Sequence, residues 1–249
     1  MRGGPRKREQ WSATIEPFST SNNNISRRAF IAGAPALFLA PTLLRFDARA
    51  PIHIAFIYSP EYANAARAAE MSANEVRRAA TLLKRDFRFT ALKIEDPPPA
   101  EAEWTAIVAA TPRAINWVRG IVVDIASGAC GRNVLTLVPP RGQCRNQHCV
   151  VWHASLERFG AGQLNDRFKA AGIPIDEQSW LGWFAVKLLW ESGVRDKHPR
   201  ELSYDGHKGI ALRFNPAGVL MQPIYSLKDG RVTEEIRPNI QFEAAACGG

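Results

Sequence analysis

The 249-residue chain lacks the short motifs by which most catalytic sites are recognised. It has no GxSxG nucleophile elbow, no HExxH, no Walker loop, and no GxGxxG behind its first strand-like run. Nor does it hold an apolar run of the roughly 20 residues that a membrane-spanning helix needs. The stretch Ala29–Leu44 falls short of that length and is broken by Pro35 and Pro41. A field of one charge is missing too. The net charge is +8, but residues 1–50 hold eight Lys and Arg against three Asp and Glu, which leaves +3 for everything after them. No basic stripe interleaved with aromatics follows, which argues against a nucleic-acid partner. Cysteine is scarce, at four residues, and no CxxCH is present for covalent haem. No internal repeat is visible. These absences point away from an enzyme, a membrane span and a DNA- or RNA-binding module.

What is present begins with an address. Residues 1–25 are polar and rich in Arg, Ser and Asn. Ser26-Arg27-Arg28-Ala29-Phe30-Ile31 then resembles the twin-arginine export signal, followed by a short apolar region and the small-x-small pattern Ala48-Arg49-Ala50. The reading is a leader over 1–50, a mature domain over 51–234 placed in the periplasm, and a loose tail over 235–249. Membrane contact is expected only through the export signal.

From Pro51 the pattern is α/β. His53–Tyr58 is nearly all apolar, as a buried parallel strand should be. Ala63–Lys84 repeats Ala65, Ala69, Val76, Ala80 and Leu83 at helical spacing. Further strands are expected at 87–94, in "WTAIVAATP" and in "NVLTLVPP", with a helix over 113–126 between the last two. "VVWHAS" reads as a short strand, and 156–170 as a helix. Asp176 supplies a cap for a helix dense in Trp180, Trp183, Phe184 and Trp190, with Gly193 as its stop. Such aromatic density reads as core packing. "IALRFN" and "LMQPIYSL", joined by "PAG", suggest a β-hairpin. The expected fold is a doubly wound, mainly parallel sheet with that hairpin at its C-terminal end.

Two long segments, "SLERFGAGQLNDRFKAAGIPIDEQSWLGWFAVKLLWESG" and "SYDGHKGIALRFNPAGVLMQPIYSL", resemble the C-terminal part of type I periplasmic substrate-binding proteins. These are receptors of ABC transporters of the branched-chain amino acid class, and the likeness is to the branch found with quinoprotein alcohol oxidation. "HIAFIYSPEYANAARAAEMSANEVRRAA" is similar to that family's opening strand and helix. The resemblance implies a non-enzymatic solute-binding protein for a small polar metabolite, with an ABC permease or another periplasmic protein as partner and no cofactor. It also implies a missing or reduced second lobe. Only "RGQCRNQHC" separates the strand "NVLTLVPP" from "VVWHAS", where the family places most of that lobe.

On this receptor reading the ligand-binding residues lie just beyond strand ends. They are Ser59, Glu61 and Tyr62 after the first strand, Thr111 and Arg113 after the third, and Arg141 after the fourth. Their hydroxyls, cations and helix-start N–H groups suit a carboxylate or another polar group, and Ser59-Pro60 and Thr111-Pro112 equally serve as turn signals. Cys130 and Cys144 flank the last of these strands, and export would expose them to oxidation, so a Cys130–Cys144 disulfide is expected, with Cys149 as the alternative partner. Cys144, His148, Cys149 and His153 also leave open a metal- or redox-handling role, although the adjacency of His148 and Cys149 makes joint tetrahedral ligation awkward. A third alternative is an accessory protein that keeps the lobe as an interaction surface without a ligand. "DGHKG" at 205–209 reads as an exposed turn, and Gly160 and Gly162 as helix-entry packing.

Overall fold

The computed structural model describes residues 50–96, 104–117, 120–139, 148–158 and 160–238. The leader, including Arg27 and Arg28, lies outside them, as do Arg141, Cys144, Cys247 and most of the tail. Among the described residues no helix is long and apolar enough to cross a membrane.

Ile52–Tyr58 forms strand β1, and its run of residues apolar on both faces requires a layer on each side. It pairs in parallel with β2 (Phe87–Lys93) on one edge and β3 (Ala106–Ala110) on the other. β3 continues in parallel to β4 (Ile121–Asp124), and β4 to β5 (Val134–Thr136). The order is β2-β1-β3-β4-β5, one of the two common orders of open, doubly wound sheets. Every residue of β3 and β4 is buried, while the edge strand β2 turns Arg88 and Lys93 to solvent.

One of these strands replaces an expected helix. Residues 113–126 do not form one; a 3-10 turn over Pro112–Trp117 leads instead into β4. Ile121, Val122 and Val123 explain the outcome, because three β-branched residues in a row lose rotamer freedom in a helix and fit a central strand.

Helices α1 (Ala63–Leu83) and α3 (Glu177–Arg195) pack side by side and share one core with Ile54, Phe56, Val108 and Ala110 on a single face of the sheet. Small side chains bring the two helices close: α1 buries Ala65, Ala68, Ala69 and Ala73, and Gly182 of α3 sits against the backbone of Ala65. The opposite face carries a smaller cluster, in which Ala55, Ile57, Ile107, Ala109 and Val122 meet Ala114 of the 3-10 turn. Asp176 caps α3 as its sequence position suggests, its Oδ1 accepting from the Ser179 N–H at 2.8 Å. Gly193 does not stop that helix, which runs on to a left-handed Asp196. A Cβ on Gly193 would stand 2.7 Å from Ile52 Cδ1, so this glycine makes room for β1.

The third helix, α2 (Ala161–Ala170), starts later than the sequence pattern suggests because turns occupy the residues before it. The remaining strands are antiparallel. β6 (His148–Val150), β10 (Ile224–Lys228) and β11 (Arg231–Ile236) form a sheet of order β11-β10-β6. β7 (Tyr204–Asp205), β8 (Ala211–Phe214) and β9 (Leu220–Met221) form another. The single expected hairpin is therefore two. One is β8–β9; the other is β10–β11, turned by Asp229 and Gly230, both at positive φ. β11 ends at Ile236, so a strand crosses the boundary at which the tail was expected to begin.

Candidate functional site

In a sheet of this order the chain leaves β1 toward one edge and β3 toward the other, which opens a crevice beyond their carboxyl ends. Ser59 and Thr111 occupy that position, each directly after its strand. Ser59 is 8% exposed, and among the described residues its Oγ has no hydrogen-bond partner of normal geometry. A buried hydroxyl without a partner is uncommon and costly. The Ser59 carbonyl accepts from the Tyr62 N–H at 2.9 Å, closing the 3-10 turn Pro60–Tyr62 that feeds α1. No side chain caps α1 at Tyr62, the residue before it, and the Ala63 N–H donates instead to the Pro60 carbonyl of the turn.

Tyr62 is half-buried, and its phenol is pushed above the ordinary range, first by burial and then by the charges of Asp124, Glu61 and Glu177. Glu61 is exposed, and its carboxyl is held below the usual value chiefly by the nearby Ser59 hydroxyl, although no hydrogen bond of normal geometry joins the two. Arg113 is exposed on the 3-10 turn after β3. Ser59 and Thr111 are thus buried, Tyr62 is half-buried, Glu61 and Arg113 are exposed, and Arg141 lies outside the described residues.

Asp124 is the member of this rim that the sequence reading missed. It ends β4 and is fully buried. Its two oxygens accept from the N–H groups of Ala126, Ser127 and Gly128 and from the hydroxyls of Ser127 and Thr136, at 2.8–3.2 Å. One carboxylate thereby shapes the loop beyond β4 and ties it to β5. The signal was available in "VVDIASG", an aspartate ending a β-branched run just before Ser and Gly.

The cysteine region gives a mixed outcome. Neither Cys130 nor Cys149 is a free thiol. The expected Cys130–Cys144 pairing lies outside the described residues, because Cys144 does. His148 and Cys149 are successive residues of β6, so their side chains leave opposite faces of the strand. His153 bonds the Ser155 hydroxyl at 2.9 Å. Among the described residues no cluster of three His, Cys, Asp or Glu is arranged to hold a metal.

A second concave feature lies away from the rim. A cleft of about 530 Å³ sits between the start of α2, the turn 205–209 and the β10–β11 hairpin, with Leu156, Ala161, His207, Lys208, Tyr225 and Glu235 among its lining. The turn is not the exposed loop its glycines suggested, for Gly206 and Lys208 are buried within it. Lys208 is 2% exposed. Its Nζ donates to Gln222 Oε1 at 2.7 Å and to the Pro223 carbonyl at 3.1 Å, and lies 4.0 Å from the centre of the Trp180 ring. Among the described residues no carboxylate reaches it at ion-pairing distance. An aromatic face returns about 2 kcal/mol to a desolvated cation, whereas taking an ammonium out of water costs several kcal/mol. Burial therefore wins. It drives the Lys208 amine well below the ordinary lysine range, with Glu177 and Glu235 opposing it more weakly. His207, at positive φ, is tilted against Trp183 with ring centres 5.2 Å apart. Its pKa is lowered by burial and by the Lys187 and Arg167 charges.

No protein-family model matches the chain, and no curated protein matches it. Among solved structures, one described as a branched-chain amino acid ABC transporter from Silicibacter pomeroyi is similar over 81% of this chain, at 14% identity and a TM-score of 0.24. The match spans 62% of that structure, less than two thirds of its length. A likeness that remote does not identify a ligand. The strand pairing defines the fold: an open α/β domain with a parallel five-stranded sheet and antiparallel C-terminal strands.

Proposed function

We propose that the chain is an exported, non-enzymatic solute-binding protein that holds a small polar metabolite at the rim beyond β1 and β3 and presents it to an ABC permease or another periplasmic partner. The observation that carries this reading is the Ser59 hydroxyl, buried just beyond β1 and lacking a hydrogen-bond partner of normal geometry among the described residues. A ligand oxygen or nitrogen would satisfy it. As a donor, that hydroxyl suits a carboxylate or another acceptor group. Tyr62 and Thr111 would form the adjoining walls. The export signal, the periplasmic setting and the reduced second lobe belong to the same proposal and rest on the sequence.

Thermal-shift screening against amino acids, short carboxylates and alcohol-oxidation products tests it. A ligand at a hundred times its Kd adds about 2.7 kcal/mol. For a domain of this size that raises Tm by about 5–11 °C. Ser59→Ala should abolish the shift while changing the ligand-free Tm little, because among the described residues the hydroxyl makes no hydrogen bond of normal geometry. A ligand shift that survives Ser59→Ala would remove the rim from the reading.

A further inference from the structure

Lys208 is held in place more firmly than a surface turn requires. The Asp205 carboxylate accepts from the His207 N–H at 2.8 Å, and Lys187 Nζ donates to the Asp205 carbonyl at 2.9 Å. Trp180 Nε1 donates to the Gly206 carbonyl at 3.0 Å. Gln222, itself buried, is fixed by a bond from its Nε2 to the Leu137 carbonyl at 2.6 Å, which aims Oε1 at the lysine. The turn thus puts Lys208 among the residues that line the 530 Å³ cleft, with Nζ 5.6 Å from the ring centre of Tyr225, another of them.

We propose that Lys208 is a covalent capture site for a small carbonyl compound, an aldehyde or unhindered ketone, that enters this cleft. The two acceptors, Gln222 Oε1 and the Pro223 carbonyl, match the two N–H bonds of a neutral amine and leave its lone pair outside any hydrogen bond among the described residues. An amine without a carboxylate partner, desolvated against an aromatic ring, has the setting of Schiff-base lysines. Leu156, Ala161 and Tyr225 offer apolar surface to the rest of the ligand.

The step balances without an oxidant or reductant. The Nζ lone pair forms a bond to the carbonyl carbon, and the carbonyl π pair moves to oxygen. The nitrogen then gives up a proton, the oxygen gains one, and a carbinolamine results. Its hydroxyl leaves as water after protonation by solvent, and an imine remains on Lys208. The protonated imine is a cation, and the Trp180 face 4.0 Å from Nζ then stabilises it. The site is separate from the β1–β3 rim, so its failure would leave the solute-binding proposal standing.

The test uses the intact, folded chain with propanal and sodium cyanoborohydride at pH 7.5, which reduces each imine to a stable secondary amine. Peptide mapping by mass spectrometry then compares lysines within one sample. Exposed lysines such as Lys84, Lys169 and Lys228 serve as the internal reference. Lys208 is expected to be alkylated at least tenfold faster than any of them. Thr233→Trp, which narrows the mouth of the cleft from an exposed strand position, should slow Lys208 and leave the exposed lysines unchanged. Labelling of Lys208 at or below the surface rate overturns the proposal. So does a Lys208 rate unaffected by Thr233→Trp.

Discussion

Replacing Gly182 by Ala adds one methyl group at the closest approach of α1 and α3. The new Cβ would stand 2.7 Å from the carbonyl carbon of Ala65 and 2.9 Å from its Cα, and nearer still to the carbonyl oxygen. Ordinary contact begins near 3.4 Å. The helices must therefore separate by about 0.7 Å or more, and backbone atoms cannot rotate aside as a side chain would. Overpacking of a tight core costs about 1–3 kcal/mol, and the upper end applies to a backbone clash. Alanine returns about 1 kcal/mol of helix propensity relative to glycine. The net loss is about 2 kcal/mol, which lowers Tm by about 4–8 °C in a domain of this size. Gly162→Ala is the matched control. Its Cβ meets nothing closer than the Glu157 carbonyl oxygen at 3.4 Å, and its φ is ordinary, so propensity alone acts and the variant should be about 0.5–1 kcal/mol more stable. Calorimetry and urea unfolding with an unchanged m-value measure both. A Gly182→Ala protein that melts at or above the parent would refute the close-packed account of α1 and α3.

Two other outcomes follow from the site. Asp124→Ala strands five donors at the end of β4, and even with water reaching some of them the loss should be about 3 kcal/mol. Urea unfolding would read it, and a midpoint within error of the parent would show that the loop holds itself. On the acid side, burial lowers the pKa of both His207 and His198 in the folded chain. The unfolded chain then takes up protons near pH 6.5 that the folded chain resists, so stability should be full above about 6.5 and fall as pH drops below it. Melting curves from pH 7.5 to 5.5 should show this decline, reduced in His207→Gln; a rise in Tm over that range would contradict it.

The elements legible in the sequence are those whose local chemistry and tertiary setting agree. β1 announced itself as a continuous apolar run, α1 by alanines at helical spacing, and α3 by the Asp176 cap. β4 was misread because four residues are too few to show a period, and an alternating strand–helix pattern invited a helix there. At the rim, Ser59 and Thr111 were visible because proline marks the end of each strand. Asp124 was passed over as one more acidic residue, since its value lies in five partners gathered by the loop rather than in any spacing. Lys208 was illegible for a different reason. Two flanking glycines and a charged side chain describe a surface turn, and only Trp180, Gln222 and Pro223, brought from 14 to 28 residues away, bury it.

Helix α3 links these observations physically. Its first residue, Glu177, accepts from the Val151 N–H at 2.7 Å and contributes its charge to Tyr62 on the rim. One turn later Trp180 stacks between Trp152 and Phe184, at 5.8 and 4.8 Å, and faces Lys208. Two residues beyond, Gly182 presses on Ala65 of α1, only six positions from Ser59. Three consecutive demands therefore fall on one buried helix: an acid at its start, an indole over an amine, and no side chain where it crosses α1. The aromatic density that reads as core packing is core packing, yet one of those rings also forms the seat of the amine. For this reason Gly182→Ala should do more than lower Tm. By shifting α1 it should move Ser59 and Tyr62 and weaken any rim ligand, while Lys208, held by Trp180 on α3 itself, should keep its labelling rate. Parallel loss of both properties would mean that α3, rather than α1, is the element that gives way.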